Sequence, residues 1–149
     1  MQEINVQDVR LAALNLLARR EHLRAELDLK LRKRFGGEVE LDTVLDQLTE
    51  DKLLSDERFV DSYIRHRSGR GYGPDRIQMD LRQKGAAGEL VSLALEACEM
   101  DWCQLARDVR LKKFGSEPPA DFSERSRQLR FLQYRGFGGE CTSRLFSED

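Results

Sequence analysis

Leu81-Arg82-Gln83-Lys84-Gly85-Ala86 has two counterparts in this chain, Leu31-Arg32-Lys33-Arg34-Phe35-Gly36 before it and Leu132-Gln133-Tyr134-Arg135-Gly136-Phe137 after it, spaced by roughly fifty residues. Each copy sets an apolar anchor, then polar and basic residues, then a glycine. That is how a helix with a cationic last turn stops. The repeat therefore predicts three related helical units, at residues 1–52, 53–99 and 100–149. A repeated helical unit points to a surface that grips a partner and away from a reaction centre.

The motif closes a middle helix in each unit, over about 23–34, 74–84 and 122–134. Pro74 after Gly73 suits a first helical position. Asp121 and Glu124 have capping-box spacing, with Ser123 competing as the cap, whereas Glu21-His22-Leu23-Arg24 offers the first middle helix no comparable cap. Opening helices are read from Val9, Ala12, Ala13, Leu16 and Leu17, from Phe59, Val60, Tyr63 and Ile64, and from Leu105, Ala106 and Val109. Ser55 or Asp56 caps the second of these and Asp101 the third. Closing helices follow Leu41, Val44, Leu45 and Leu48, then Leu90, Val91, Ala94, Leu95 and Cys98, then Cys141, Leu145 and Phe146. No long alternating run of β-branched residues occurs, so the expected class is all-α. Residues 68–74, rich in glycine, and 115–120, with two prolines, are expected to be mobile links.

Composition narrows the function. The 149 residues are 35% charged and 7% aromatic, which suits several small helical cores better than one large one. Lys plus Arg number 25 against 27 Asp plus Glu, so the molecule as a whole has no strong preference for nucleic acid. Cys98, Cys103 and Cys141 are odd in number and form no CxxC, and His22 and His66 lie far from them. Neither a disulfide framework nor a zinc site is expected, and the cysteines read as small, half-buried helix residues. No run reaches the ~18 apolar residues of a membrane span, and Met1 to Arg10, with Glu3 and Asp8, lacks the basic start of a secretion signal. A reducing cytoplasm is the expected compartment and a monomer the expected state.

The densest basic stretch is Arg65, His66, Arg67, Arg70, Arg76, Arg82 and Lys84, opposed by Asp75 and Asp80. Arginine's planar fork suits carboxylate or phosphate, the glycines permit close backbone approach, and Tyr72 offers a ring. A solvated helix end beside an ordinary loop is the competing reading. A second basic run, Lys30, Arg32, Lys33 and Arg34, is followed by acidic Glu38, Glu40, Asp42, Asp46, Glu50 and Asp51. This bipolar pattern argues against uniform wrapping of nucleic acid. Catalysis finds no pattern: there is no HExxH and no histidine beside a nucleophile, and Asp56 and Asp61 read as helix-dipole partners. Trp102 reads as packing at a unit junction.

Leu53-Leu54-Ser55-Asp56-Glu57-Arg58-Phe59-Val60-Asp61-Ser62-Tyr63-Ile64, continued by Arg65-His66-Arg67, the loop to Gly73-Pro74, Arg76-Ile77 and Leu81 to Gly85, resembles the RecX family of bacterial regulatory proteins. Arg20-Glu21, Glu26-Leu27, Lys30-Leu31 and the run Arg130 to Phe137 extend the resemblance over about residues 9–146. It implies an elongated, curved array of three tandem three-helix repeats, without catalytic residues, cofactor or metal. It also implies a partner: the RecA recombinase filament on single-stranded DNA, whose ATPase, strand-exchange and coprotease activities such proteins lower from within its groove. The residues expected to make the contact are Arg65, Arg67, Arg70, Tyr72, Arg76, Arg82 and Lys84, and a helical protein that binds DNA by itself is the alternative. The chain departs from the family pattern at Leu23, where a capping serine is common, and at Ala86 and Ala87, where a larger aliphatic residue is usual.

Overall fold

The repeat motif closes helices because its glycines take a conformation other residues avoid. In the computed structural model, which describes residues 5–37 and 40–147, Gly85 and Gly136 both have φ of +101°. At each, the next residue's N–H reaches back to the anchor leucine: Ala86 to the Leu81 carbonyl and Phe137 to the Leu132 carbonyl, both at 3.0 Å. The first copy carries its glycine one residue later and closes differently, with the Gly36 N–H on the Arg32 carbonyl at 2.8 Å.

Among the described residues the elements are nine helices: α1 (Val6–Arg19), α2 (Arg24–Phe35), α3 (Leu41–Glu50), α4 (Asp56–Gly69), α5 (Pro74–Gln83), α6 (Gly88–Ala97), α7 (Trp102–Phe114), α8 (Phe122–Arg135) and α9 (Gly139–Ser147). They form the expected all-α array of three tandem three-helix repeats. Each bundle has its own apolar centre, around Val9, Leu27 and Leu45 in the first, Val60, Ile77 and Leu81 in the second, and Ala106, Leu132 and Phe137 in the third. Ser55 caps α4 through the Arg58 N–H at 3.1 Å, Asp101 caps α7 through Gln104 at 3.0 Å, and Asp121, in preference to Ser123, caps α8 through Glu124 at 2.8 Å.

Three expectations need correction. The missing cap of α2 is supplied from the next bundle, since the Asp56 carboxylate accepts the Arg24 N–H at 2.7 Å. Leu23, fully buried, joins the core of the second bundle, so an aliphatic residue where a serine would cap locks the two bundles together. Second, residues 68–74 are no free link: Gly71 and Gly73 are buried, and the Gly73 N–H bonds the Arg135 carbonyl at 2.7 Å. Third, Cys103 and Cys141 form a disulfide with Cα atoms 4.8 Å apart, leaving Cys98 free. Packing of α7 against α9 sets the starts of both helices side by side, a proximity that spacing along the chain does not carry. Ala86 is buried in the second core, and Trp102 at the head of α7 also packs there. Glu3 and Glu38 lie outside the described residues.

Candidate functional site

The second and third bundles meet through helix ends. An α-helix leaves N–H groups unpaired at its start and carbonyls unpaired at its end, with opposite partial charges. At this joint each set satisfies the other: the Gly73 and Asp75 N–H groups at the start of α5 bond the Arg135 and Gly136 carbonyls at the end of α8, at 2.7 and 3.0 Å. The approach is close enough to demand glycine on both sides. A Cβ on Gly73 would stand 2.5 Å from the Gly136 carbonyl oxygen, and one on Gly136 would stand 2.4 Å from Arg76 Cβ. The end of α5 in turn meets the start of α2, where a Cβ on Gly85 would lie 3.0 Å from Ala25 Cβ. The middle helices thus follow one another end to end, α8 onto α5 and α5 onto α2.

Around the α8–α5 joint the side chains alternate cation and ring. Tyr72 has the guanidinium of Arg67 at 4.1 Å, of Arg135 at 4.9 Å and of Arg76 at 5.6 Å from its ring centre. Arg76 also lies 4.9 Å from the Tyr134 ring, donates to the Tyr134 carbonyl at 3.2 Å and pairs with Asp80 at 3.4 Å. The Tyr134 bond, with Asp80 nearby, holds Arg76 still more firmly in its charged form. Arg67 Nε finds no acceptor, so its guanidinium is held through ring faces. Tyr63 donates to Asp80 at 3.5 Å, and burial first, then the Asp80 charge, pushes its phenol up from the ordinary value.

A cleft of about 420 Å³ opens beside this cluster, floored by Leu105, Val109 and Phe131 and rimmed by Arg70, Lys112, Lys113 and Arg135, with Asp108 as its carboxylate. The structure therefore brings Arg67, Arg70, Tyr72 and Arg76 together and adds Arg135, Lys112 and Lys113 from the third bundle. Arg82 and Lys84 stand elsewhere. Arg82 borders a recess with Met79 and Gln83, and Lys84 another with Arg20 and Glu26 toward the first bundle. Arg65 is exposed on α4. Arg135 belongs to the repeated motif, and Lys112 and Lys113 to the last turn of α7, but only the joint sets them beside residues 69–76.

The other charged runs largely neutralise themselves. Arg24 pairs with Asp46 at 2.7 Å and Asp42 at 3.8 Å, Arg10 with Asp51 at 3.2 Å, and Arg32 with Asp28 at 2.6 Å. His22, 1% exposed, sits among them: its Nδ1 faces the Arg20 carbonyl at 3.1 Å and its Nε2 the Lys30 ammonium at 3.0 Å. This arrangement suits a neutral ring with hydrogen on Nδ1. Burial, helped by the Arg20 and Lys30 charges, holds its pKa below the ordinary histidine value. Among the described residues no group of three or more His, Cys, Asp or Glu is placed to hold a metal ion, and no helix is long and apolar enough to cross a membrane.

Comparison with known proteins gives one family throughout. The second three-helix domain of RecX matches residues 55–95 and the third matches residues 99–146. Regulatory protein RecX of Pseudomonas fluorescens Pf-5 is 46% identical over 139 residues, covering 93% of this chain and 90% of that protein. The Pseudomonas putida GB-1 protein of the same name is 45% identical over 93% of this chain and 89% of its own. In fold, the crystal structure of RecX from Lactobacillus salivarius superposes with a TM-score of 0.82 at 20% identity, covering 95% of this chain and 94% of the other. A second crystal structure of regulatory protein RecX gives 0.77 at 19%, covering 99% and 81%. With identities this high over nearly the whole of both chains, and the second and third three-helix domains matched in order over α4–α9, this chain belongs to the RecX family of regulatory proteins.

Proposed function

We propose that the chain is a non-enzymatic regulator that lies in the groove of the RecA filament on single-stranded DNA and inhibits or modulates its ATPase, strand-exchange and coprotease activities in DNA repair and the SOS response. Family membership supports this reading, and one structural observation carries it to particular residues. Arg67, Arg70, Arg76, Arg135, Lys112 and Lys113 gather at one joint of a molecule whose formal net charge is −2. A confined cationic patch on an extended helical scaffold fits an acidic protein surface with local phosphate better than a polyanion wrapped along its length.

The test is RecA's ATPase on single-stranded DNA as this protein is titrated in at fixed salt, with binding to free DNA recorded alongside. Inhibition at protein concentrations well below those that bind free DNA supports a filament regulator. Inhibition that tracks free-DNA binding, with a steep salt dependence, would replace it with a protein acting on nucleic acid directly.

A further inference from the structure

The Cys103–Cys141 bridge has no part in the reading above, and its surroundings assign it one. Among the described residues the third bundle has the smallest apolar centre, five buried residues against ten in the first bundle and eight in the second. Its last helix, α9, has nine residues, too few to hold helical form alone, and keeps its place through Thr142, Leu145, Phe146 and the bridge. Both sulfurs belong to residues in the first turn of their helices that are only half-buried, within reach of a small thiol. A cross-link sealed in a core lacks that exposure. The third bundle is also continuous with the cationic joint: Phe137, in its core, lies where a Cβ on Gly73 would come within 2.8 Å of its ring.

We propose that Cys103 and Cys141 are a reversible dithiol–disulfide site, exchanging with small-molecule thiols and disulfides, that sets the stability of the third helical bundle. On oxidation, the thiolate of one cysteine attacks a sulfur of a disulfide RSSR, forming a mixed disulfide and releasing RS⁻. The second cysteine's thiolate then attacks the protein-bound sulfur, closes the Cys103–Cys141 bond and releases the second RS⁻. The cysteine pair loses two electrons and two protons, and RSSR becomes two RSH. Reduction by a thiol runs the same steps backward. Opening the link frees a 38-residue separation, which loop-closure accounting converts to a rise of about 700-fold in the unfolding equilibrium of the bundle.

The experiment equilibrates the whole chain in defined ratios of reduced to oxidised glutathione. Each sample is quenched by alkylation to count free thiols, and amide hydrogen exchange is followed by segment. The expected result is a reversible change of two thiols across the series, with exchange in α7–α9 up to about 700-fold faster in the reduced protein and α1–α6 unchanged apart from the Gly73 and Asp75 amides that α8 holds. Cys98→Ser should behave as wild type, and the Cys103→Ser/Cys141→Ser variant should exchange like reduced protein at every ratio. A thiol count that does not respond to glutathione overturns the proposal. So does equal exchange of α7–α9 in both states, or acceleration spread evenly over all three bundles. None of these readouts involves RecA, so failure here and failure of the filament reading are separate events.

Discussion

Replacing Gly73 by alanine isolates the joint between the second and third bundles. Gly73 has φ of −88° and ψ of 172°, an extended conformation open to alanine, so the backbone itself gives no penalty. The penalty is steric and falls on backbone: the new Cβ would stand 2.5 Å from the Gly136 carbonyl oxygen and 2.6 Å from its carbon, neither of which can swing aside as a flexible side chain would. Relief requires the end of α8 to retreat from the start of α5. That lengthens the Gly73–Arg135 and Asp75–Gly136 hydrogen bonds, now 2.7 and 3.0 Å. At about 0.5–1.5 kcal/mol net for each bond, the loss is about 1–3 kcal/mol. Gly69→Ala is the control, since a Cβ there meets nothing within 4 Å and Gly69 sits in the last turn of α4, where alanine gains about 0.5–1 kcal/mol. Urea titration by circular dichroism, with hydrogen exchange to place the effect, should show Gly73→Ala destabilised at α5 and α8 and Gly69→Ala unchanged or more stable. Equal midpoints for the two variants would refute the argument that backbone contact at the joint excludes a side chain.

Further outcomes follow from the same geometry. Asp56→Ala should cost about 0.5–2 kcal/mol and speed amide exchange at the start of α2, in a different bundle, while Asp56→Asn, which keeps an acceptor, should retain most of the stability. Because His22 has its pKa depressed in the folded chain, the unfolded chain takes up the proton first as pH falls below about 6.5. Stability is thus full above that pH and declines toward pH 5. Urea midpoints should fall over this range in wild type and lose most of the slope in His22→Gln; Glu26, lowered by its bond to Arg20, acts only at more acidic pH. Arg70→Ala should leave folding within about 0.5 kcal/mol and, under the proposed function, weaken inhibition of RecA's ATPase, as the exposed Arg70 lines the cleft. Arg76→Ala should in addition destabilise the fold by about 1–3 kcal/mol through loss of the Tyr134 bond and two ring contacts. If the two variants melt alike, the distinction between a contact residue and a joint residue is wrong.

Whatever depends on near neighbours along the chain was legible in the residues alone. Apolar periodicity placed the helices, and Ser55, Asp101 and Asp121 marked helix starts because a cap bonds an N–H only three residues away. The repeated leucine-to-glycine run announced Gly85 and Gly136 as helix ends, and the central motif was enough to suggest the family. Arg67, Arg70, Tyr72 and Arg76 could be chosen together because they span less than three turns and one loop.

What passes between bundles came from their packing. The cap of α2 comes from Asp56, 32 residues away, so the start of that helix looked bare. The glycine-rich segment, read alone, is a flexible link; the carbonyls of α8 turn it into a buried joint, because helix ends seek partners wherever the fold supplies them. Arg135, Lys112 and Lys113 belong to the cationic cluster only because that joint folds the third bundle against the second. Cysteine count and spacing speak to frameworks and metal sites, whereas a single bridge needs only two helix starts brought to 4.8 Å, and that distance is set by the packing of α7 on α9.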